Sequence, residues 1–146
     1  MADVMEERIR SIEFCSGIAF AAGALILGLS LVLYPALPPA NETNKVLEML
    51  VKEDTASWMW LHAFMVFGFA LVTIGFAAFA FHLHLRGSSG PASVVSACAF
   101  IGGTLWAGFL SAEFFVHPFL KNLMGVEPGL ATMLFNTYWF WKMGAL

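Results

Sequence analysis

The sequence predicts an all-α integral membrane protein, an antiparallel four-helix transmembrane bundle with a short amphipathic helix in its first connection. Composition is the first reason, because 60% of the 146 residues are hydrophobic and only 12% are charged. The mean hydropathy of +0.79 lies outside the usual range of soluble domains. Pattern is the second reason, because long apolar runs alternate with short polar or proline-containing connections. The length fits one transmembrane domain over residues 1–146.

The first predicted span covers about residues 12–34, and its apolar part runs from Phe14 to Leu33. About 20 helical residues cross a hydrocarbon core about 30 Å thick. The run is also longer than the apolar core of a cleaved signal peptide, so we predict a retained helix. Pro35 and the pair Pro38-Pro39 then end it, because proline has no amide proton to donate.

Residues 41–57 form the first connection and are predicted to contain the amphipathic helix. Val46, Leu47, Leu50 and Val51 fall on one helical face, and the charged residues fall elsewhere. Such a helix lies on the membrane or over the mouth of the bundle. The alternative is a solvated connector with a single helical turn.

Three further spans are predicted, over about residues 58–82, 92–117 and 128–146. Trp58 marks the second span's start, because tryptophan is enriched at membrane interfaces. Pro118 is predicted to end the third span, because proline disfavours continuation of a helix.

The fourth span is the shortest, and it begins at Pro128, a residue suited to the first turn of a helix. Lys142 follows after only about 14 residues, roughly 21 Å of helix. Its ammonium group must therefore snorkel to the interface, unless the helix continues past Leu146.

Basic residues favour a cytoplasmic N-terminus, although the difference is small. One side would hold four of them and the other side three: Arg8, Arg10, Arg86 and Lys142 against Lys45, Lys52 and Lys121. Under the positive-inside rule the larger group is cytoplasmic. The opposite side, which carries the connections at Asn41 and Lys121, is called the outer side.

Small residues predict where the helices approach one another, because close packing drives helix association in lipid. In the first span they form one stripe: Gly17, Ala21, Ala24 and Gly28. Gly68 and Gly75, a heptad apart, do so in the second span.

Ionisable residues near hydrocarbon are functional candidates, because burying them unpaired is costly. His62, Glu113 and His117 fall at similar depth at the outer ends of two antiparallel spans, with Tyr34 in the same leaflet. Glu113 and His117 are four residues apart on one helical face, so we expect the carboxylate to accept the imidazole proton. The plainest interpretation is that the two simply satisfy each other.

Two cofactor hypotheses use the same residues. His62 and His117 are candidate axial ligands of a b-type haem, and His62, Glu113 and His117 are candidate ligands of a divalent metal. Neither pattern is specific, since the sequence has no HExxH motif. A colourless, metal-free protein is the alternative.

A polar path is a further hypothesis, in which Glu113 titrates and Asn136 and Thr137 continue a route through the fourth span. It would support proton-coupled or small-substrate transport by an oligomer. Acid-base chemistry on a lipid-soluble substrate such as a quinone is a related possibility for His62 or Glu113. On the opposite side, His82 and His84 point about 200° apart on a helix and are predicted to be interfacial.

The function predicted first is that of a small integral membrane protein acting as a subunit or interaction module of a larger membrane assembly. The partners expected are membrane lipids and other membrane subunits, or a second copy of the chain. Nucleic acid is not expected, because 7 basic residues against 10 acidic ones form no basic patch. No catalytic constellation is recognisable, so no catalytic residue is assigned. Cys15 and Cys98, in separate apolar segments, are predicted to be buried hydrophobes.

Overall fold

The computed structural model describes residues 2–36, 38–39 and 42–144, and these form five α-helices. They are α1 Ala2–Leu33, α2 Thr43–Lys52, α3 Thr55–Leu85, α4 Ser89–Val126 and α5 Pro128–Gly144. The predicted connection begins at Asn41 and the fourth span ends at Leu146, and both residues lie outside the described part, as does the side chain of Lys142. The all-helical class is confirmed for the described residues.

Three of the helices are long and apolar enough to cross a membrane: Glu6–Leu33, Thr55–Leu85 and Ser89–Val126. Their length and composition support the predicted membrane association and lipid contact. We call the end of the molecule where α1 stops and α3 begins the outer end, and the opposite end the inner end.

The boundaries of α3 follow from local chemistry. At its start, the Asp54 carboxylate accepts a hydrogen bond from the Ser57 amide at 2.8 Å, which satisfies one of the free donors of a helix N-terminus. At its end, Gly87 adopts a φ of +81°, a conformation that suits glycine. The Gly87 amide donates to the His84 carbonyl at 3.0 Å, which closes the turn into α4.

The prediction that Pro118 ends the third helix is wrong, because α4 contains Pro118 and continues to Val126. A proline inside a helix removes one backbone hydrogen bond and costs about 3 kcal/mol. The segment beyond it recovers stability by tertiary packing, since Leu120 is buried in a core formed with α2 and α5. At 38 residues, α4 is about 57 Å long and therefore extends beyond a hydrocarbon core of about 30 Å.

The helices are arranged around α3, which packs against both α1 and α4, while α5 packs against α4 and α2. Among the described residues, the backbone of α1 makes no close approach to α4 or α5. These contacts define an open row of three long helices, and they do not establish the predicted four-helix bundle.

Glycine contacts define the α1–α3 interface. A Cβ atom at Gly23 would lie 2.8 Å from the Gly68 carbonyl oxygen, closer than real Cβ atoms come. Gly68 and Gly75 are close-packed as predicted, against Leu27 and Phe20.

The stripe predicted on α1 is not part of this interface. Gly17 and Gly28 have no atom within 4 Å of a Cβ position. The buried residues of α1 are instead spaced by heptads, at Ile9, Ser16, Gly23 and Ser30. The positions of glycine and alanine did not identify the packed face, because serines also lie on it. The Ser16 hydroxyl donates to the Gly75 carbonyl of α3 at 2.9 Å.

The hydrophobic core lies toward the outer end, where α2 packs against α4 and α5 and the Trp58 side chain joins them from α3. Its buried residues are Val46, Leu47, Leu50, Trp58, Leu120, Phe135 and Trp139. We call the unit formed by α2, α5 and the part of α4 after Glu113 the outer cap. The candidate site lies where this cap meets the long helices.

Candidate functional site

The structure brings His62 of α3 and Glu113 of α4 into direct contact. The His62 Nε2 atom lies 2.9 Å from Glu113 Oε2. His62 is fully buried and Glu113 is 5% exposed. The sequence placed these residues at similar depth and left their contact open, and the structure shows that the two antiparallel helices bring them together.

The contacts of His62 define how many protons the pair holds. The Nδ1 atom lies 2.9 Å from the Trp58 carbonyl oxygen, which can only accept, so Nδ1 carries a hydrogen. The Nε2–Oε2 contact then holds one further proton, either on the imidazole beside a carboxylate or on the carboxyl group beside a neutral imidazole. The pair is thus a buried site for a single shared proton.

Two tyrosines complete the surroundings of this carboxyl group. The Tyr138 hydroxyl donates to Glu113 Oε1 at 3.1 Å, and Tyr34 lines the same small cavity as Glu113. The Trp58 indole donates to the Glu113 backbone carbonyl at 3.2 Å. Glu113 therefore joins α3, α4 and α5. We call His62, Glu113, Tyr34 and Tyr138 the Glu113 cluster.

His117 has a different partner from the one predicted. Its Nε2 atom donates to the Leu50 carbonyl of α2 at 2.6 Å. One turn further along α4, the Lys121 ammonium donates to the Glu53 carbonyl at 2.6 Å. The last carbonyls of a helix lack partners within it, so His117 and Lys121 cap the C-terminus of α2. His117 is therefore not part of the Glu113 cluster, and Glu113 forms hydrogen bonds with His62 and Tyr138 instead.

Trp58 contacts both imidazoles of the predicted site. Its ring centroid lies 4.3 Å from that of His62 and 4.9 Å from that of His117, nearly parallel to the latter at 17°. The sequence had suggested only an interfacial tryptophan here. The burial of Trp58 follows from its place between α3 and the outer cap.

The haem and metal hypotheses find no support in this arrangement. Three of the four imidazole nitrogens of His62 and His117 are engaged by Trp58, Glu113 and Leu50. The described part of the chain contains no group of three His, Cys, Asp or Glu residues placed to hold a metal ion. The cavity beside these side chains measures about 20 Å³, far too small for a haem.

The predicted polar path is not joined to the Glu113 cluster. Asn136 and Thr137 are exposed on α5, and the Thr137 hydroxyl donates to the Met133 carbonyl of its own helix at 3.0 Å. The residue that α5 contributes to the cluster is Tyr138, which the sequence reasoning missed. Its signal was available, because Phe135, Tyr138 and Trp139 share one helical face by their spacing.

A second group of charges lies at the inner end, between α1 and α3. Glu13 Oε1 is 3.3 Å from His82 Nε2 and 3.7 Å from Arg86 Nη2. His84, on another face of the helix, is exposed, as are Cys15 and Cys98. The expectation of buried cysteines is therefore wrong, because these residues face outward from the row of helices.

The geometry of the Glu113 cluster allows His62 and Glu113 to hold a proton between them, and its hydrogen bonds join α3, α4 and α5. Pockets for organic ligands usually measure about 300–1,000 Å³, and the cavity beside this cluster is about 20 Å³. An organic substrate has no room there in this conformation.

Comparison with known proteins adds no family: no family model, curated protein or solved structure matches this chain.

Proposed function

We propose that this protein is a small multi-pass membrane protein that acts as a subunit or interaction module of a larger membrane assembly. One observation supports the proposal: the polar groups of the Glu113 cluster form hydrogen bonds with other helices of the same chain. In this proposal the Glu113 cluster holds the outer cap against the membrane helices by hydrogen bonds and performs no catalysis.

The proposed topology has the N-terminus in the cytoplasm and α2 as an amphipathic helix at the outer surface. We propose α5 as a fourth membrane helix that enters the bilayer beside α4. Its packing against α4 supports this placement. The open row of α1, α3 and α4 favours a bundle that is completed by other chains.

The uncovered small residues of α1 support contact with a second helix. Gly17, Ala21, Ala24 and Gly28 are all exposed, and Gly17 and Gly28 have no neighbour where a side chain would begin. In lipid, such small-residue faces let two helix backbones approach closely.

Cysteine cross-linking in native membranes tests this proposal. With Cys15 and Cys98 replaced by serine, we would introduce single cysteines by Ala24→Cys and, as the control, Leu25→Cys. Both positions are exposed, but they point about 100° apart on the helix. We expect one product of defined mass from the first variant and little from the second; its mass distinguishes a second copy from another subunit. Equal or absent cross-linking at both positions contradicts the proposal.

A second candidate function, proton-coupled transport, is favoured by the proton shared between His62 and Glu113. Proteoliposomes under an imposed proton gradient test it. Flux that Glu113→Gln abolishes would support transport, because glutamine cannot exchange the proton. No flux from the wild-type protein would rule it out under those conditions.

A further inference from the structure

A groove lies at the inner end of the molecule, between α1 and α3. It measures about 450 Å³, and pockets for organic ligands usually measure about 300–1,000 Å³. Three aromatic side chains form its apolar walls: Phe20, Phe76 and Phe79. Phe76 and Phe79 are 40% and 41% exposed, so a ligand can reach these rings from the surface of the helices.

One end of the groove carries charges of both signs. Glu13 and His82 line it, and Arg86 Nη2 lies 3.7 Å from Glu13 Oε1. The Glu13 and Arg86 side chains are 46% and 55% exposed. Their separation is longer than the N–H···O distance of a hydrogen bond, about 2.7–3.2 Å, and exposed ion pairs contribute little to stability. Both groups can therefore bind a ligand without losing a strong contact.

The groove changes from charged to aromatic along the helix axis. Seven residues of α1, about 10 Å of helix, separate Glu13 from Phe20. A bilayer passes from headgroups to hydrocarbon over a similar depth, and both α1 and α3 contain segments apolar and long enough to cross one. The shape and the charges fit an amphiphile whose headgroup carries a positive and a negative group.

We propose that this groove binds one phospholipid with a phosphoethanolamine headgroup, from the leaflet at the inner end. The lipid phosphate accepts hydrogen bonds from the Arg86 guanidinium, whose planar fork of N–H donors matches phosphate oxygens. The lipid ammonium donates to the Glu13 carboxylate, and the upper part of an acyl chain lies against Phe76 and Phe79.

The two charged side chains select this headgroup over other common ones. Phosphocholine has no N–H group to donate to Glu13, and phosphatidylglycerol has hydroxyl groups but no cation for this carboxylate. Hydrogen bonds between charged groups are about twice as strong as neutral ones. An apolar helix of another protein would instead leave Glu13 and Arg86 without partners, which is costly. The inference rests on the multi-pass membrane placement in the proposed function, but not on contact with a partner subunit.

Native mass spectrometry of the protein released from lipid nanodiscs tests this site. The nanodiscs contain equal amounts of phosphatidylethanolamine, phosphatidylcholine and phosphatidylglycerol with identical acyl chains. We expect the ethanolamine lipid to be enriched about two- to fivefold in the one-lipid adduct, the factor that an exposed charge pair provides. Glu13→Gln and Arg86→Gln should each remove the enrichment. Glu7→Gln, the same change at an exposed position on another face of α1, should keep it.

Equal adducts of the three lipids, or enrichment that Glu13→Gln leaves unchanged, would overturn the inference. Enrichment of phosphatidylglycerol would also overturn it, because the site would then select an anionic lipid. No adduct of any lipid would count against the membrane placement itself, whereas a failed cross-link at Ala24 would leave the lipid site unaffected.

Solid-state NMR gives a second measurement, which locates the phosphate. In bilayers of phosphatidylethanolamine, we expect dipolar coupling between the lipid ³¹P and ¹⁵N-labelled arginine side chains. Arg86→Gln should remove this coupling, and Arg8→Gln, at an exposed position of α1, should keep it. Coupling that persists in Arg86→Gln would place the phosphate at another arginine and overturn the inference.

Discussion

At Glu113, one carboxyl group forms hydrogen bonds with side chains of two other helices, His62 of α3 and Tyr138 of α5. His62 is fully buried, so its ring would lose a partner that solvent does not replace. The energetic consequence of a substitution at Glu113 therefore depends on whether the new residue still offers hydrogen bonds.

We expect Glu113→Ala to destabilise the protein by about 3–5 kcal/mol, the cost of removing one partner from a buried pair. Glu113→Gln should cost clearly less, because its amide N–H can donate to the neutral His62 Nε2 and its oxygen can accept from Tyr138. Reversible unfolding in mixed micelles measures both. Equal losses in the two variants would show that hydrogen bonding is not what Glu113 contributes.

Among single helices, α3 is stabilised by the cap at its N-terminus as well as by its packing against α1 and α4. The Ser57 amide donates to the Asp54 carboxylate and holds the pKa of Asp54 below its usual range. A carboxylate whose pKa is lower in the folded state stabilises the fold above the pKa of the unfolded chain. That contribution is lost as the pH falls through the lowered pKa.

Thermal unfolding in detergent between neutral and acidic pH tests this cap. We expect Asp54→Ala to lower the melting temperature at neutral pH and to lose less stability on acidification than the wild type. Asp54→Asn, which can cap without a charge, should stay near the wild type at neutral pH. A wild-type acid dependence in Asp54→Ala would assign the effect to another group.

The contact between α1 and α3 predicts opposite outcomes for two glycines of one helix. We expect Gly23→Ala to destabilise by about 1–3 kcal/mol, because the new methyl group would overlap the backbone of α3. In the isolated chain, Gly28→Ala should be neutral or stabilising, because nothing within the chain lies within 4 Å of its Cβ position and alanine favours a helix. Melting temperatures in detergent compare the two. A loss at Gly28 alone would contradict the interface.

For the whole molecule, the outer cap joins segments that are distant in the sequence. Phe135 of α5 is fully buried against α2 and α4, whereas Phe140 of the same helix is 77% exposed. Substitutions at these two residues therefore distinguish the contribution of packing in the outer cap from that of the general apolar character of α5.

We expect Phe135→Ala to cost about 3–5 kcal/mol, the usual loss for a buried phenylalanine, and to expose α2 to limited proteolysis. Phe140→Ala should change stability little. Unfolding in detergent and protease cleavage between α1 and α3 measure the two effects. If Phe140→Ala proved the more harmful, the outward face of α5 would be the packed one.

Several features were predictable from sequence because they depend on local composition or spacing. The long apolar runs gave the helices that can cross a membrane, and the heptad of Gly68 and Gly75 gave one close-packed face. That His62 and Glu113 lie at matching levels of their two helices agrees with counting residues along antiparallel helices.

Other features depended on neighbours that no local pattern reveals. Pro118 did not end its helix, because the residues beyond it pack into the outer cap. The partner of His117 was a carbonyl group of α2, and carbonyl groups carry no sequence signature.

The sequence by itself determined a helical chain with apolar segments of membrane-spanning length, because helix length and lipid compatibility are properties of each segment alone. Only the tertiary structure decided that Glu113 binds His62 and Tyr138, that His117 caps α2 and that Gly23 is the packed glycine of α1. The physical reason is that hydrogen-bond partners and close contacts are set by the rotation of each helix about its axis. That rotation depends on all of its neighbours at once.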